Sequence, residues 1–409
     1  MAKPPTEREI LPLLQELIRA RTVNPPGNEV RAAEVVEAYL EERGVGVRIL
    51  EPEEDRANLY AEVGSGKTLV FNGHLDVVPP GRGWRRDPFE PTVEGGRVYG
   101  RGATDMKGGV AAAVAAFASL AEEPPGRIKL LLTADEERGS RLGMGWIVEH
   151  MPELAKGDFA IVLEPMGSYP SPKFIAVAEK GVVIAHIHVY GRSAHSSVPQ
   201  LGENAIMRAL RLSERLLRER PKGGWRPGVR EALSYVLAAG ERRRLGLRGA
   251  LAMYRALRDV TVNVAKINGG EKTNLVPDHC EVVVSYRIFP GQGPEDVEDC
   301  IRRAMRREGV RGDVVVTTYI EGSRLRGGEE WVDALSETVK SVYGTAPIKI
   351  LSVASSDARF FRNRLGVPAV QFGPGESHLA HAPNEYVHLR DVVSASRVLV
   401  EFAEKTLRA

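Results

Sequence analysis

Short apolar runs of strand length alternate with helix-length segments along most of this chain, and several of the runs end on an imidazole or a carboxylate. His74-Leu75-Asp76 follows the run 69–72, Glu136-Glu137 follows 127–134, and Glu164-Pro165 follows 158–163. Alternation of this kind demands a mixed or parallel sheet covered by helices on both faces. In such sheets ligands bind outside the carboxyl ends of the strands. One pattern therefore predicts both an α/β fold and the edge of the sheet where its chemistry lies.

Apolar residues at three- and four-residue spacing predict helices over 8–21 and 29–43, with strands at 47–50, 59–63 and 69–72. A Pro- and Gly-rich loop is expected over 78–102, then helix 107–121, strand 127–134, helix 142–151 and strand 158–163. Near Gly181 the pattern changes. A half-exposed strand at 182–190, helix 203–220, strands 258–268 and 279–288, helix 295–308 and strand 312–320 give the β-α-β-β-α-β order of a ferredoxin-like unit. After Gly327 the earlier alternation returns, with helix 330–343, strand 348–353, helix 356–364, strand 368–373 and helix 390–406.

At 409 residues two domains are expected. His381 belongs with His74, so the last segment completes the first domain and the smaller unit is an insertion. The expected division is 1–181 with 323–409 for the larger domain and 182–322 for the insert. The stretch 220–257 lengthens the insert; its Arg242, Arg243, Arg244 and Arg248 read as a solvated helical face, with an anion or partner site as the sharper alternative.

A net charge of +2 argues against nucleic acid or an anionic membrane as partner. The Ala-rich stretch 110–118 is too short to span a bilayer and reads as part of an amphipathic segment, and the first residues have no apolar signal region. With two cysteines, Cys280 and Cys300, any metal must be held by His and carboxylate, and a reducing, cytoplasmic setting is expected.

Imidazole and carboxylate suit zinc, and a spare acid suits a general base. His74 and Asp76 point to one face of an extended chain, so Asp76 can orient the His74 ring. Asp105 could simply cap helix 107–121. Capping does not explain the glycines at 100 and 102; a carboxylate crowded between two cations does. Asp135, Glu136 and Glu137 in sequence repel one another unless cations absorb their charge, and adjacent acids can divide metal binding from proton handling. His378 and His381 compete for one role, which spacing alone does not decide. His186 and His188, with no acid nearby in sequence, read as structural or interface residues.

Taken together, these segments resemble the M20 metallopeptidase family, whose members include acetylornithine deacetylase and succinyl-diaminopimelate desuccinylase. The resemblance runs in order from His74 to Tyr386. It implies a zinc-peptidase-like α/β catalytic domain with an inserted ferredoxin-like α+β lid that also forms dimers. It implies Asp105 as a bridging carboxylate, with His74 and Glu164 completing one metal and Glu137 and His381 the other. His381-Ala382-Pro383-Asn384-Glu385 fits the family's H-x-x-N-E and so favours His381 over His378. Glu136 matches the general base and Asp76 the carboxylate behind His74. A cis peptide often follows the bridging aspartate in the family. In the lid, His195 would polarise the substrate carbonyl, commonly from the partner subunit, Asn274 would contact substrate, and Arg287 would grip a carboxylate with its guanidinium fork.

The run 354–360 is similar to a G-T-S-D-G/A-R-F segment, with Ala354 for Gly and Ser355 for Thr at a substrate-contacting position. Bacterial desuccinylases carry an arginine pair before the lid where this chain has Glu179-Lys180-Gly181. Both departures count against an unmodified desuccinylase. The implied function is a di-zinc amidohydrolase that cleaves an N-acyl amino acid, with cobalt able to fill the same ligands. The alternative is a dipeptidase or carboxypeptidase acting on short peptides. A non-catalytic scaffold on this fold is the reading of another class, and the intact ligand set with Glu136 argues against it.

Overall fold

A computed structural model describes residues 2–167, 173–238 and 246–408. Its larger sheet has nine strands. The order runs Arg48–Glu53, Arg56–Val63, Arg127–Thr133, Thr68–His74, Phe159–Val162, Ala369–Gln371, Phe174–Glu179 and Ser323–Arg324, with Ile348–Ser352 also paired to Phe174–Glu179. Thr68–His74 runs parallel to both of its neighbours and is buried along its whole length. Its side chains alternate between two cores. Leu69 and Phe71 join the layer beneath the helices Glu7–Arg19, Gly108–Ala121 and Leu389–Leu407, whereas Val70 joins Leu131, Ile147 and Phe361 on the other face. A strand buried on both faces is mostly apolar on both, which is why runs such as Leu69-Val70-Phe71 lack polar alternation.

The helix Gly108–Ala121 departs from the amphipathic reading. Every residue from Val110 to Ala118 is buried. It packs against the sheet, against Glu7–Arg19 and against Leu389–Leu407. Alanine allows this, because a side chain of one carbon lets three neighbours approach a single helix closely.

The second sheet has the order Thr261–Gly269, His279–Ile288, Gly181–Tyr190 and Arg311–Ile320, all antiparallel. Helices Ala205–Leu216 and Pro294–Arg307 cover one face. This is the ferredoxin-like arrangement. Asn204 caps the first of these helices through Met207 N–H at 3.1 Å. The chain leaves the large sheet at Glu179 and returns beside the same residue, since Ser323 pairs with Glu179. Between the two sheet systems lie helices Val229–Ala238 and Gly246–Arg258. Arg242, Arg243 and Arg244 fall outside the described residues.

Other departures are local. The expected loop 78–102 contains strands Thr92–Glu94 and Arg97–Tyr99, which join Tyr386–His388 in a three-stranded sheet. The tight turn between the first two uses Gly95 and Gly96 at φ +57 and +73. Strands of three residues are too short for a periodicity to register. The helix expected over 356–364 is present but wound as a π-helix over Phe360–Leu365. Phe174–Glu179 adds a strand to the large sheet just before the insert begins. His186 does have an acid partner, Glu281 at 2.8 Å, supplied by the neighbouring strand and so invisible in local sequence. Cys280 and Cys300 are buried and unpaired. Among the described residues no helix is long and apolar enough to cross a membrane.

Candidate metal centre

His74 is the last residue of its strand, and its Nε2 lies 3.2 Å from Asp105 Oδ1. His381 Nε2 lies 3.3 Å from Asp105 Oδ2 and 3.1 Å from Glu137 Oε2. Ligand atoms of His74, Asp105 and Glu164 fall within 4.8 Å of one another, and so do those of Asp105, Glu137 and His381. Asp105 is common to both sets, with one oxygen turned to each imidazole. His378 is not in the cluster; it meets Glu376 at 3.2 Å and lines the adjoining cavity.

The backbone around these ligands is fixed by carboxylates that do not themselves join the cluster. Buried Asp76 accepts hydrogen bonds from Glu136 N–H at 3.0 Å, Glu137 N–H at 3.2 Å and Asn24 Nδ2 at 2.8 Å. Its carboxylate also lies 3.5 Å from His74 Nδ1, while its carbonyl meets the same nitrogen at 2.9 Å. Asp76 therefore orients the imidazole and the Glu136–Glu137 turn together. Burial pushes its carboxyl pKa up, but contact with His74 and the Asn24 and Glu137 hydrogen bonds hold it below the ordinary value.

Asp135 takes no part in the cluster. It accepts from Arg56 at 3.1 Å and from Leu142 N–H at 3.3 Å, and its αL backbone at φ +63 turns the chain after the strand. Arg56 also pairs with buried Glu29 at 2.7 Å, so Asp135 belongs to a separate buried charge network, apart from Glu136 and Glu137.

Glu385 fixes Asp105. One oxygen accepts from Thr104 N–H at 2.8 Å and Asp105 N–H at 3.0 Å; the other accepts from Gly102 N–H at 3.0 Å and pairs with buried Arg101 at 2.5 Å. Burial raises the Glu385 pKa to about 7, with Arg101 opposing. The peptide between Asp105 and Met106 is cis. Glu385 closes the H-x-x-N-E run, but no local pattern assigns it a task. Asn24 and Arg56 carried no local signal at all.

The donor set fits divalent cations. Burial raises the pKa of Glu136 and Glu164 well above the ordinary value and raises that of Glu137 as well, with neighbouring carboxylates adding to it. His381 is pushed up to about 10 by its contacts with Asp105 and Glu137, with burial opposing. Burial disfavours a charged His74, yet Asp105 and Asp76 hold its pKa well above the usual range. The pocket concentrates more negative charge than two imidazoles can neutralise, and in low dielectric that charge calls for metal or proton.

A cavity of about 430 Å³ opens beside Asp105, Glu164 and His381 and reaches Arg287 and Ser355. Ser355 Oγ donates to Lys180 O at 3.1 Å. His195 and Asn274 are not among the cavity's lining residues. They sit together in the insert, where Ser196 N–H donates to Asn274 O at 3.0 Å and His195 Nδ1 meets Ser197 Oγ at 2.7 Å.

The model of peptidase family M20/M25/M40 matches residues 70–405. The chain belongs to the M20 peptidase family. It is 38% identical over 414 residues to a succinyl-diaminopimelate desuccinylase from Acidiphilium cryptum (strain JF-5), covering 98% of this chain and 100% of the relative. It is 33% identical over 362 residues to an acetylornithine deacetylase from Myxococcus xanthus, covering 84% and 83%. An M20 family metallo-carboxypeptidase from Sulfolobus solfataricus is structurally similar at a TM-score of 0.80 and 25% identity, covering 97% of this chain and 98% of that one. This M20 chain is a metal-dependent hydrolase with an α/β catalytic domain and an inserted dimerisation-type domain.

Proposed function

We propose that this M20 enzyme hydrolyses the amide bond of an N-acyl amino acid at a centre of two divalent ions, zinc by preference and cobalt acceptably. The observation that carries the reading is Asp105, whose two oxygens face two separate ligand sets, His74 with Glu164 and Glu137 with His381. A bound pair of ions would polarise the scissile carbonyl and acidify a water. Glu136 takes the proton of the attacking water on its carboxylate and returns it to the leaving amine nitrogen. Arg287, at the cavity wall, pairs with a substrate carboxylate and sets the register of the scissile bond.

In this reading residues 182–322 act as the lid, with His195 and Asn274 completing the site across a dimer. His195 lies in an exposed part of the insert. Around it stand exposed apolar side chains, Leu201 at 68%, Met207 at 52% and Leu275 at 40%, which supports association of the insert with a second copy. The cytosol is the proposed setting. A second reading, peptide hydrolysis from the carboxyl end, is favoured by the likeness to the Sulfolobus carboxypeptidase.

The test is a panel of N-acyl amino acids beside a panel of dipeptides, run on protein reconstituted with zinc or cobalt. The expected result is faster cleavage of acyl amino acids, abolished by chelation. Faster cleavage of dipeptides would select the second reading, and inertness towards both panels would defeat the proposal.

A further inference from the structure

The cavity beside Asp105 and Glu164 is chemically lopsided. Met166, Phe174, Met253, Leu257, Ile350 and Leu351 form an apolar wall. All but Met253 are at most 9% exposed. Along the whole lining, among the described residues, Arg287 is the single arginine or lysine. The other polar side chains of the lining are engaged within the protein: His378 meets Glu376 at 3.2 Å, Ser377 Oγ donates to Pro165 O at 2.6 Å and Ser352 Oγ to Ala354 O at 3.0 Å. Ser355 Oγ donates to Lys180 O, Ser356 Oγ donates to Glu179 at 2.7 Å, and Gln371 Nε2 donates to Glu179 at 2.6 Å.

Part of the wall comes from the insert. Met253 and Leu257 lie on helix Gly246–Arg258. The end of that helix is clamped by Lys180, whose buried Nζ donates to Ala256 O at 2.5 Å and Asp259 O at 2.6 Å. Lys180 stands where the chain passes from the large sheet to the second one, so it fixes this helix against the mouth of the cavity.

We propose that the site selects substrates with a single carboxylate, taken by Arg287, and an apolar group against the Met253–Leu257 wall. This inference rests on the amide-hydrolase reading above. A second carboxylate placed on that wall would lose its hydration without gaining a partner, whereas an alkyl group loses nothing there and leaves water. Succinyl-diaminopimelate, named for several relatives, brings three carboxylates to a cavity with one guanidinium. Met253 and Leu257 are therefore specificity-determining residues.

The experiment compares the N-butanoyl and N-succinyl derivatives of L-leucine and of L,L-diaminopimelate on the metal-reconstituted full-length protein. Butanoyl-leucine is expected to show the highest kcat/KM, at least about tenfold above either succinyl compound, and to bind the Glu136→Gln variant more tightly than succinyl-leucine does by a similar factor. In Met253→Arg the preference for butanoyl over succinyl should fall about tenfold, because a guanidinium now stands on the wall. A succinyl compound cleaved as well as or better than butanoyl-leucine overturns the inference while leaving amide hydrolysis intact. An unchanged preference in Met253→Arg removes Met253 from its role. Cleavage of none of the four compounds overturns the hydrolase reading itself, and this inference with it.

Discussion

Asp76 holds the N–H groups of both Glu136 and Glu137, so the two acids reach the pocket from one pinned turn with different neighbours. Glu137 meets His381; Glu136 is in neither ligand set. Replacing Glu136 by Gln should thus leave metal content unchanged and lower kcat by about 10²–10⁴-fold, as loss of a general acid–base does. Metal analysis with steady-state kinetics checks it, and near-normal turnover would dismiss Glu136. A second prediction concerns protons. Without ions the His381 pKa is raised to about 10, so the ring is charged through the neutral range. That contribution to folding is complete below the unfolded histidine value near 6.5 and is lost as pH rises through about 10. An imidazole must be neutral to bind metal, so loading should release protons and apparent metal affinity should rise with pH over this window. Titration calorimetry in buffers of different ionisation enthalpy measures the release; uptake of protons would contradict it. His74 and Glu164 were legible in sequence because strand ends announce themselves. His381 was not separable from His378 by spacing, because it sits on a loop at φ +62. Glu385 escaped a role because it acts on the backbone of Thr104 and Asp105, distant in sequence, where no local pattern reports it.

The strands that carry ligands were readable as elements because their burial on both faces makes them mostly apolar. The helix Gly108–Ala121 was readable as a helix but not in its environment. An alanine-rich run looks alike on a surface and in a three-sided contact, and only packing distinguishes them. The contact has a consequence: Ala113 is wholly buried, so Ala113→Leu should overpack the helix and destabilise the protein by about 1–3 kcal/mol. Denaturant unfolding measures this, and an unchanged midpoint would show free volume beside the helix. The small sheet of Thr92–Glu94, Arg97–Tyr99 and Tyr386–His388 was hidden for a different reason. It joins segments far apart in the chain, and it brings the Glu385 region alongside Gly100, whose N–H donates to Glu385 O at 3.0 Å. A tertiary pairing of three-residue strands leaves no periodicity for a sequence reading to find.

At the scale of the molecule, the insert leaves and re-enters the large sheet beside Glu179, so its two connections lie together. His195 and Asn274 ride on the insert, outside the cavity's lining. If His195 serves the partner's site, each of the variants His195→Ala and Glu136→Gln is inactive alone. Mixed and allowed to exchange subunits, they should recover about a quarter of wild-type activity, since half the dimers are hybrids with one intact site each. No recovery, with exchange verified, would assign His195 to its own subunit or to no role. The central claim is a pair of ions centred on Asp105. Anomalous diffraction at the zinc edge, on crystals of the zinc-loaded protein, tests it most directly. Two peaks about 3.5–4 Å apart are predicted, one beside His74 and Glu164 and one beside Glu137 and His381, with Asp105 touching both. A single peak, or peaks away from these side chains, would contradict it.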